Sequence, residues 1–546
     1  MGPHRIVIGT MALGVTLSIV VATSTGQQPD QHDHSAPAER VGAVHFGTSC
    51  APALQKEFDR GVALLHSFWF SAAIESFNTV LRGDPRCVMA HWGIAMSWWG
   101  NPFAGFRSSQ ALKAGLAATD AAKASGAGTD REKAYVGAVD LLFRDAETVD
   151  QRARAIAYEK AMESIAAKYA DDVEARIFYA LALDQTALPT DKTYTNQLKA
   201  AAILEAEFKR QPEHPGLAHY IIHSFDVAAL APRALDAARR YATIAPDAAH
   251  ALHMPSHTFT RVGAWQESID TNLGSAAAAR KDNSVAEELH ALDYQAYAYL
   301  QTAQDDAAKR TLDAIAVLGP KISIAGAGNA APPNAGYYAL AAIPARYALE
   351  RDAWVEAAAL IPRQTPFAWA DAVTHFARAL GAARSGNAAA ARRDIDRLAE
   401  LRDAVKTTND AYWTEQVEIQ RRAATAWVTL AEGRPAEALA LMRDAADRED
   451  ATDKSAVTPG PIKPARELLG DMLLQLKQPA EALVEYETTL KKEPNRFRAT
   501  YGAARAAKAA GQLQTASAYY ASLLQITKGA DQPGRNELTE ARESVR

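Results

Sequence analysis

Apolar positions recur at helical spacing along most of this chain, in blocks separated by short polar stretches that carry Gly or Pro. The first block, Ile6 to Ala22, lies behind Arg5 and ahead of small residues through Gly26. A positive start, an apolar run shorter than the ~20 residues of a membrane-spanning helix and a small-residue end predict an export signal over 1–26. From Gln27 the chain turns polar, with Pro29 and Pro37 and no period, so 27–49 reads as a flexible linker. Patterned blocks then cover 50–210, 211–318, 337–464 and 465–527, with a loop over 319–336 and a tail over 528–546. The 319–336 stretch is rich in Gly, Ala and Pro and too long for an ordinary turn; it is either a lid across an inner face or a plain insertion. Further breaks fall at Pro362 to Pro366 and at Thr452 to Pro464. Ala is abundant and β-branched runs are few, which assigns every block to helix.

A 34-residue period links the central blocks. Pro212 and Pro246, His219 and His253, and His223 and His257 are each 34 residues apart, the length of one helix–turn–helix unit in a stacked solenoid. Gly61, Ala73, Phe77 and Pro85 give the order small, small, aromatic, Pro. Gly470, Ala482, Tyr486 and Pro494 repeat it near the C-terminus, and Ala504, Ala516 and Tyr520 follow. The small residues let two helices approach, the aromatic sits between units, and Pro stops the second helix. In this order the chain resembles the tetratricopeptide repeat (TPR) family from about residue 50 to 527, strongly at both ends and degenerately between. The resemblance implies an all-α, TPR-like solenoid of helical hairpins wound as a right-handed superhelix. It also implies that positions two, five and nine of each first helix look into a concave ligand groove. The stretches HYIIH, from His219, and HALHMPSHTF, from His250, resemble a group of exported bacterial repeat proteins.

The segment from Pro212 to Asp293 holds seven of the fourteen histidines. With Pro215 as position one, His219 and His223 take positions five and nine. His250, His253 and His257 take positions two, five and nine of the next unit. His290 and Asp293 take positions two and five of a third unit that starts at Leu289. Residues three or four apart on a helix share a face, with Cβ atoms about 5–6 Å apart, and neighbouring helices pack about 8–10 Å apart. Imidazoles from adjacent units can then meet at one ion through bonds of about 2 Å. His219, His223, His250, His253, His257, His290 and Asp293 are therefore the candidate ligands of a divalent transition metal. Imidazole donors suit Zn, Cu, Ni or Fe. Asp226 is placed to orient a ligand histidine from behind. Arg261 is placed to hold an anionic ligand or to form a plain salt bridge, and Glu287 or Glu288 is a candidate base. Pro255 either kinks the helix that carries His250 or starts a new one, leaving His250 and His253 on a loop. His66 is placed to line the groove and His214 to reach it from the edge.

Composition narrows the function. Net charge is −5 and no basic stripe runs along any block, which argues against nucleic acid as the main partner. No GxGxxG, phosphate loop, GxSxG, CxxC or HExxH occurs, so those chemistries receive no support. Cys50 precedes the first repeat and Cys87 opens the second. In an exported chain they fit a disulfide, the alternative being two buried thiols. The expectation is a periplasmic or secreted protein with no membrane span once the signal is cleaved. Three functions stay open: a metal-dependent binding protein that holds a peptide, protein or small ligand in its groove; a metalloenzyme using the same cluster for hydrolytic or oxidative chemistry; and a metal-free peptide-binding scaffold.

Overall fold

The computed structural model describes residues 1–2, 39–105, 107–323 and 330–545. The expected export signal beyond its first two residues, linker residues 27–38 and loop residues 324–329 lie outside them. Among the described residues the regular elements are helices, with no strand. They pack as consecutive hairpins. Gln55–His66 pairs with Phe70–Gly83, Val88–Trp99 with Ser109–Ala124, Asp130–Phe143 with Gln151–Lys168, and Val173–Thr186 with Thr195–Phe208. The central hairpins follow. Pro215–Ser224 pairs with Leu235–Ile244, Ala249–His253 and Pro255–Val262 with Trp265–Lys281, and Val285–Gln301 with Asp305–Leu318. Hairpins continue through Ala368–Arg384 with Ala388–Lys406 and Ala411–Ala431 with Pro435–Asp450. They end with Ala465–Gln475 on Pro479–Lys492 and Phe497–Ala509 on Leu513–Ile526. This is the TPR-like, all-α solenoid that the residue order implies.

The aromatic of each strong repeat acts as a bolt. Phe77 lies so close to Gly61 and to Gly93 of the next unit that a Cβ on either would strike its ring, at 2.8 Å in the case of Gly61. Tyr486 stands in the same way between Gly470 and Gly502. The glycines are there for the close approach of helices, and one ring fills the space shared by three of them. At the N-terminal edge Cys50 and Cys87 are joined as a disulfide, with Cα atoms 4.9 Å apart. No helix among the described residues is long and apolar enough to cross a membrane.

Three stretches depart from expectation. Residues 41–49 are not loose: Val41, Val44 and Phe46 are buried, and Phe46 packs against Trp92 and Tyr135. Three apolar side chains suffice to seat an extended segment but are too few to show a period. The tail contains a helix, Asn536–Val545, whose Leu538 and Ala541 cap the last hairpin. The helix after the 319–336 loop begins at Pro333, not at Tyr337, because Pro is suited to a first helical turn.

The C-terminal hairpins return against the central ones. Trp265 Nε1 donates to the Asn495 carbonyl oxygen at 2.8 Å, and Asn495 Nδ2 donates to that of Gly263 at 3.1 Å. The Phe497 amide donates to Gln301 Oε1 at 3.0 Å. Residues 451–464 cross the inner face, where Arg346 donates to the carbonyl oxygens of Gly460 (2.8 Å) and Pro461 (2.9 Å). This segment covers the central first helices. Ala330 instead ties Asn101 to Glu287, whose Oε1 accepts from the Ala330 amide at 2.9 Å. Glu288 is paired with Arg280, so both candidate bases have structural partners. The face expected to be an open groove is thus interior.

Gly263 makes this closure possible. Its φ of +70° is left-handed, and a Cβ there would collide with the Pro494 carbonyl oxygen and lie 2.8 Å from Asn495 Cβ. Left-handed backbone costs a non-glycine residue ~1–2 kcal/mol, and overpacking adds ~1–3 kcal/mol. Gly263→Ala is expected to lower stability by about 2–5 kcal/mol. The check is the urea midpoint, with helicity in buffer unchanged.

Candidate metal centre

Three consecutive first helices bring the histidines together. Pro215 starts Pro215–Ser224, which sets His219 and His223 one turn apart. In the next unit Ala249–His253 runs into Pro255–Val262 through Met254, whose φ of −54° and ψ of −35° remain helical. Pro255 offers no N–H to the turn before it, so the helix is kinked and not ended. His250 and His253 therefore stay helical. Val285–Gln301 carries His290, Asp293 and Tyr294.

Six imidazoles form two triads. In the first, His219 Nε2 lies 3.1 Å from both His250 Nε2 and His223 Nε2. In the second, His253 Nε2 lies 3.1 Å from His257 Nε2, and His290 completes the set. Within each triad one nitrogen per ring lies within 4.8 Å of the other two. The kinked helix serves both, with His250 in the first and His253 and His257 in the second. Five of the rings are buried and His223 is half-buried.

The hydrogen bonds behind the rings assign their protons. His219 Nδ1 donates to the His66 carbonyl oxygen at 2.6 Å, which leaves Nε2 as a bare lone pair facing two other rings. His257 Nδ1 donates to Asp226 Oδ2 at 2.9 Å. His253 Nδ1 donates to Asn272 Oδ1 at 2.7 Å, and the Asn272 amide is fixed by its own donation to the Ser268 carbonyl oxygen at 2.7 Å. His253 and His257 therefore face each other through two unprotonated Nε2 atoms. His290 Nδ1 is buried with no protein partner. A proton could join His253 to His257 only by making one an imidazolium. Burial, with His290 and His257 beside it, holds His253 well below the ordinary imidazole range. Burial also pushes His219 and His290 down to about 3. Neutral imidazole is the form that ligates metals.

Asp293 does not join either triad. Its Oδ1 accepts from Arg346 Nε at 3.1 Å, and both residues are fully buried. A buried carboxylate needs a cation, and the helix Pro333–Leu349 delivers one to this register. Asp226 does stand behind His257, where its Oδ1 also accepts from Arg261 Nε at 3.0 Å and lies 3.1 Å from Lys454 Nζ. Burial alone would raise this carboxyl; Lys454, Arg261 and His257 hold it well below the usual range. Arg261 thus forms the plain salt bridge. His66 and His214 both bond Glu174, through Nε2 at 2.9 and 2.8 Å, and His66 Nδ1 meets Tyr220 Oη at 2.9 Å. That network sits behind His219 and fixes the carbonyl that orients it.

Sequence reasoning missed several neighbours. Phe68 lies against His219 and His250, with ring centroids 4.4 and 5.4 Å away, and Phe103 stacks on His223 at 4.1 Å. Tyr294 stacks on His257 at 5.0 Å and meets His253 edge-on at 4.7 Å. Its hydroxyl is 3.3 Å from His257 Nε2 and 3.2 Å from the Thr458 carbonyl oxygen. Tyr294 follows Asp293 and shares its helix with His290, so a helical wheel centred on His290 would have found it. Asn272 and Lys454 carry no such signal.

No family model and no curated protein matches the chain. Among solved structures it is similar to the human IFIT1 dimer with m7Gppp-AAAA, at 13% identity and a TM-score of 0.37, over 81% of this chain and 90% of that one. It is similar to yeast Tom70 at 13% identity and a TM-score of 0.32, over 85% and 96% of the two chains. The TPR domain of P58(IPK) matches at 15% identity and a TM-score of 0.20, over 68% and 98%. Scores this low carry no argument, and the fold rests on the hairpin packing above.

Proposed function

We propose that this is an exported helical-repeat protein whose central hairpins hold two transition-metal ions, one in each imidazole triad, for use in binding a small ligand. The observation that carries the proposal is the pair His253 Nε2 and His257 Nε2, 3.1 Å apart. Both Nδ1 protons are committed to Asn272 and Asp226, so a cation between the rings satisfies both lone pairs at once. His219 repeats the pattern in the first triad through the His66 carbonyl. All-imidazole donors suit Zn, Cu, Ni or Fe, and three protein ligands leave each ion an open position. Export is supported by the signal pattern in the sequence and by the Cys50–Cys87 bridge. A protein or peptide partner would dock on solenoid surface away from the imidazoles, since 451–464 covers that face.

The test is protein purified without a histidine tag, stripped by chelator, dialysed against one metal at a time and analysed for its elements. Two ions per chain are expected for at least one metal, and failure of every metal to bind would overturn the proposal. Asn272→Ala removes the acceptor behind His253 and is expected to weaken metal affinity about 10–100-fold, measured by competition with a chromophoric chelator.

A further inference from the structure

The charges around the triads bear on which ion they take. Among the described residues neither triad contains a carboxylate. Asp226, which bonds His257, is already matched by Arg261 and Lys454, and Asp293, on the helix of His290, by Arg346; Glu174 is shared by His66 and His214 in the layer behind His219. Among the described residues the carboxylate bonded to a triad ring is that of Asp226, and with two cations of its own it does not offset the charge of two divalent ions. The cost of burying an ion scales with the square of its charge, so a monovalent pair costs about one quarter as much as a divalent pair in the same surroundings. Among the first-row ions that imidazole holds, copper has a stable monovalent state. Its filled d shell is satisfied by three neutral nitrogens. Zinc on three imidazoles takes a water or hydroxide as well.

The two triads also face each other. His250 and His253, from different triads, have ring centroids 6.1 Å apart, and His223 and His257 are 6.4 Å apart. Within the triads, His257–His290 and His223–His250 span 6.2 and 6.4 Å. Rings of different triads thus lie as close to one another as rings of the same triad, so the six imidazoles form one continuous cluster. Phe68, Phe103 and Tyr294 wall the centre with aromatic rings, and His223 is its one partly exposed ligand. Such walls favour a small uncharged molecule over a bulky or ionic one.

We propose that the centre holds a pair of cuprous ions and that its ligand is dioxygen, bound between them. This rests on the metal-centre proposal above. Each cuprous ion gives up one electron, and dioxygen accepts both to become peroxide bridging two cupric ions. The O–O single bond survives, and no proton enters or leaves.

The experiment uses the full chain, stripped and loaded without oxygen with the acetonitrile complex of copper(I), in competition with an equal concentration of zinc(II). Dioxygen uptake is then followed with an electrode. Two coppers per chain are expected, with zinc excluded, and one dioxygen taken up per two coppers. A strong near-ultraviolet band should appear, and the product should be silent in electron paramagnetic resonance because the cupric spins couple through the bridge. His223→Asn, at the half-buried ligand, should keep wild-type helicity and one copper and lose at least nine-tenths of the uptake. Two zinc ions held in preference to copper would overturn the cuprous pair and leave the metal centre standing. No ion of either kind would overturn both. Two coppers without dioxygen uptake, or uptake undiminished in His223→Asn, would overturn the ligand assignment.

Discussion

Replacing His223 and His257 together by Ala is expected to abolish metal retention and to erase the response of stability to chelator. One ligand is lost from each triad, and two imidazoles with no fixed third donor hold a divalent ion too weakly to retain it. In the wild type an ion present at 1,000 times its Kd adds ~4 kcal/mol to folding, so stripping two ions should remove about 8 kcal/mol. The double variant should unfold at the same urea concentration with and without chelator. Because both side chains sit inside the solenoid, stripped protein is the right reference, and the cavities themselves cost ~2–5 kcal/mol per site. Asp226 keeps Arg261 and Lys454 when His257 is gone, so no buried carboxylate is left unmatched. Normal metal content in the variant would show that these histidines are structural.

The second large effect lies at Arg496, which is fully buried between Glu350 and Glu467, themselves fully buried. Its Nε is 2.7 Å from Glu467 Oε2, and its Nη1 donates to Tyr297 Oη at 3.0 Å. This one side chain joins the last hairpins to the central helix Val285–Gln301. Arg496→Met leaves two carboxylates buried without the guanidinium that joins them; Lys463 stays 3.2 Å from Glu467, and Arg498 stays on the Glu350 carbonyl oxygen at 2.7 Å, not on its carboxylate. The expected loss is about 3–5 kcal/mol at neutral pH. Burial raises the Glu467 carboxyl, and Arg496 with Lys463 more than offsets this and holds it below the ordinary glutamate range. In the wild type that group contributes stability which is present above the unfolded-state pKa and lost as pH falls through the folded one. Without Arg496 the carboxyl rises, and the folded variant takes up a proton before the unfolded chain does. The defect should therefore narrow on acidification from pH 7 towards pH 5, read as converging urea midpoints. A gap that widens would mean that the carboxylates find other partners.

What could be read in advance was whatever lies within one repeat. Gly61 and Phe77, or Gly470 and Tyr486, are local partners set by helix geometry, and their order exposes the hairpin. The histidine register is local as well, which is why His219, His223, His250, His253, His257 and His290 could be grouped from helix spacing together with the repeat frame that the resemblance implies. Asp293 shows where register stops being enough. It occupies the position equivalent to His253, but its neighbour is the helix that carries Arg346, and the local charge decides its partner. Lys454 is 228 residues from Asp226, and no periodicity announces that 451–464 crosses the inner face. The same closure turns the expected groove into an interior. Cys50 and Cys87 span one repeat boundary and were legible as a pair, while Val41, Val44 and Phe46 were too few to betray a packed segment.

Anomalous X-ray diffraction from metal-loaded crystals, at the absorption edge of the ion bound, tests the centre most directly. The expected result is two peaks, one bonded at about 2 Å to nitrogens of His219, His223 and His250 and the other to nitrogens of His253, His257 and His290. A map with no peak at either triad, and with His253 and His257 turned apart or bridged by water, would contradict it.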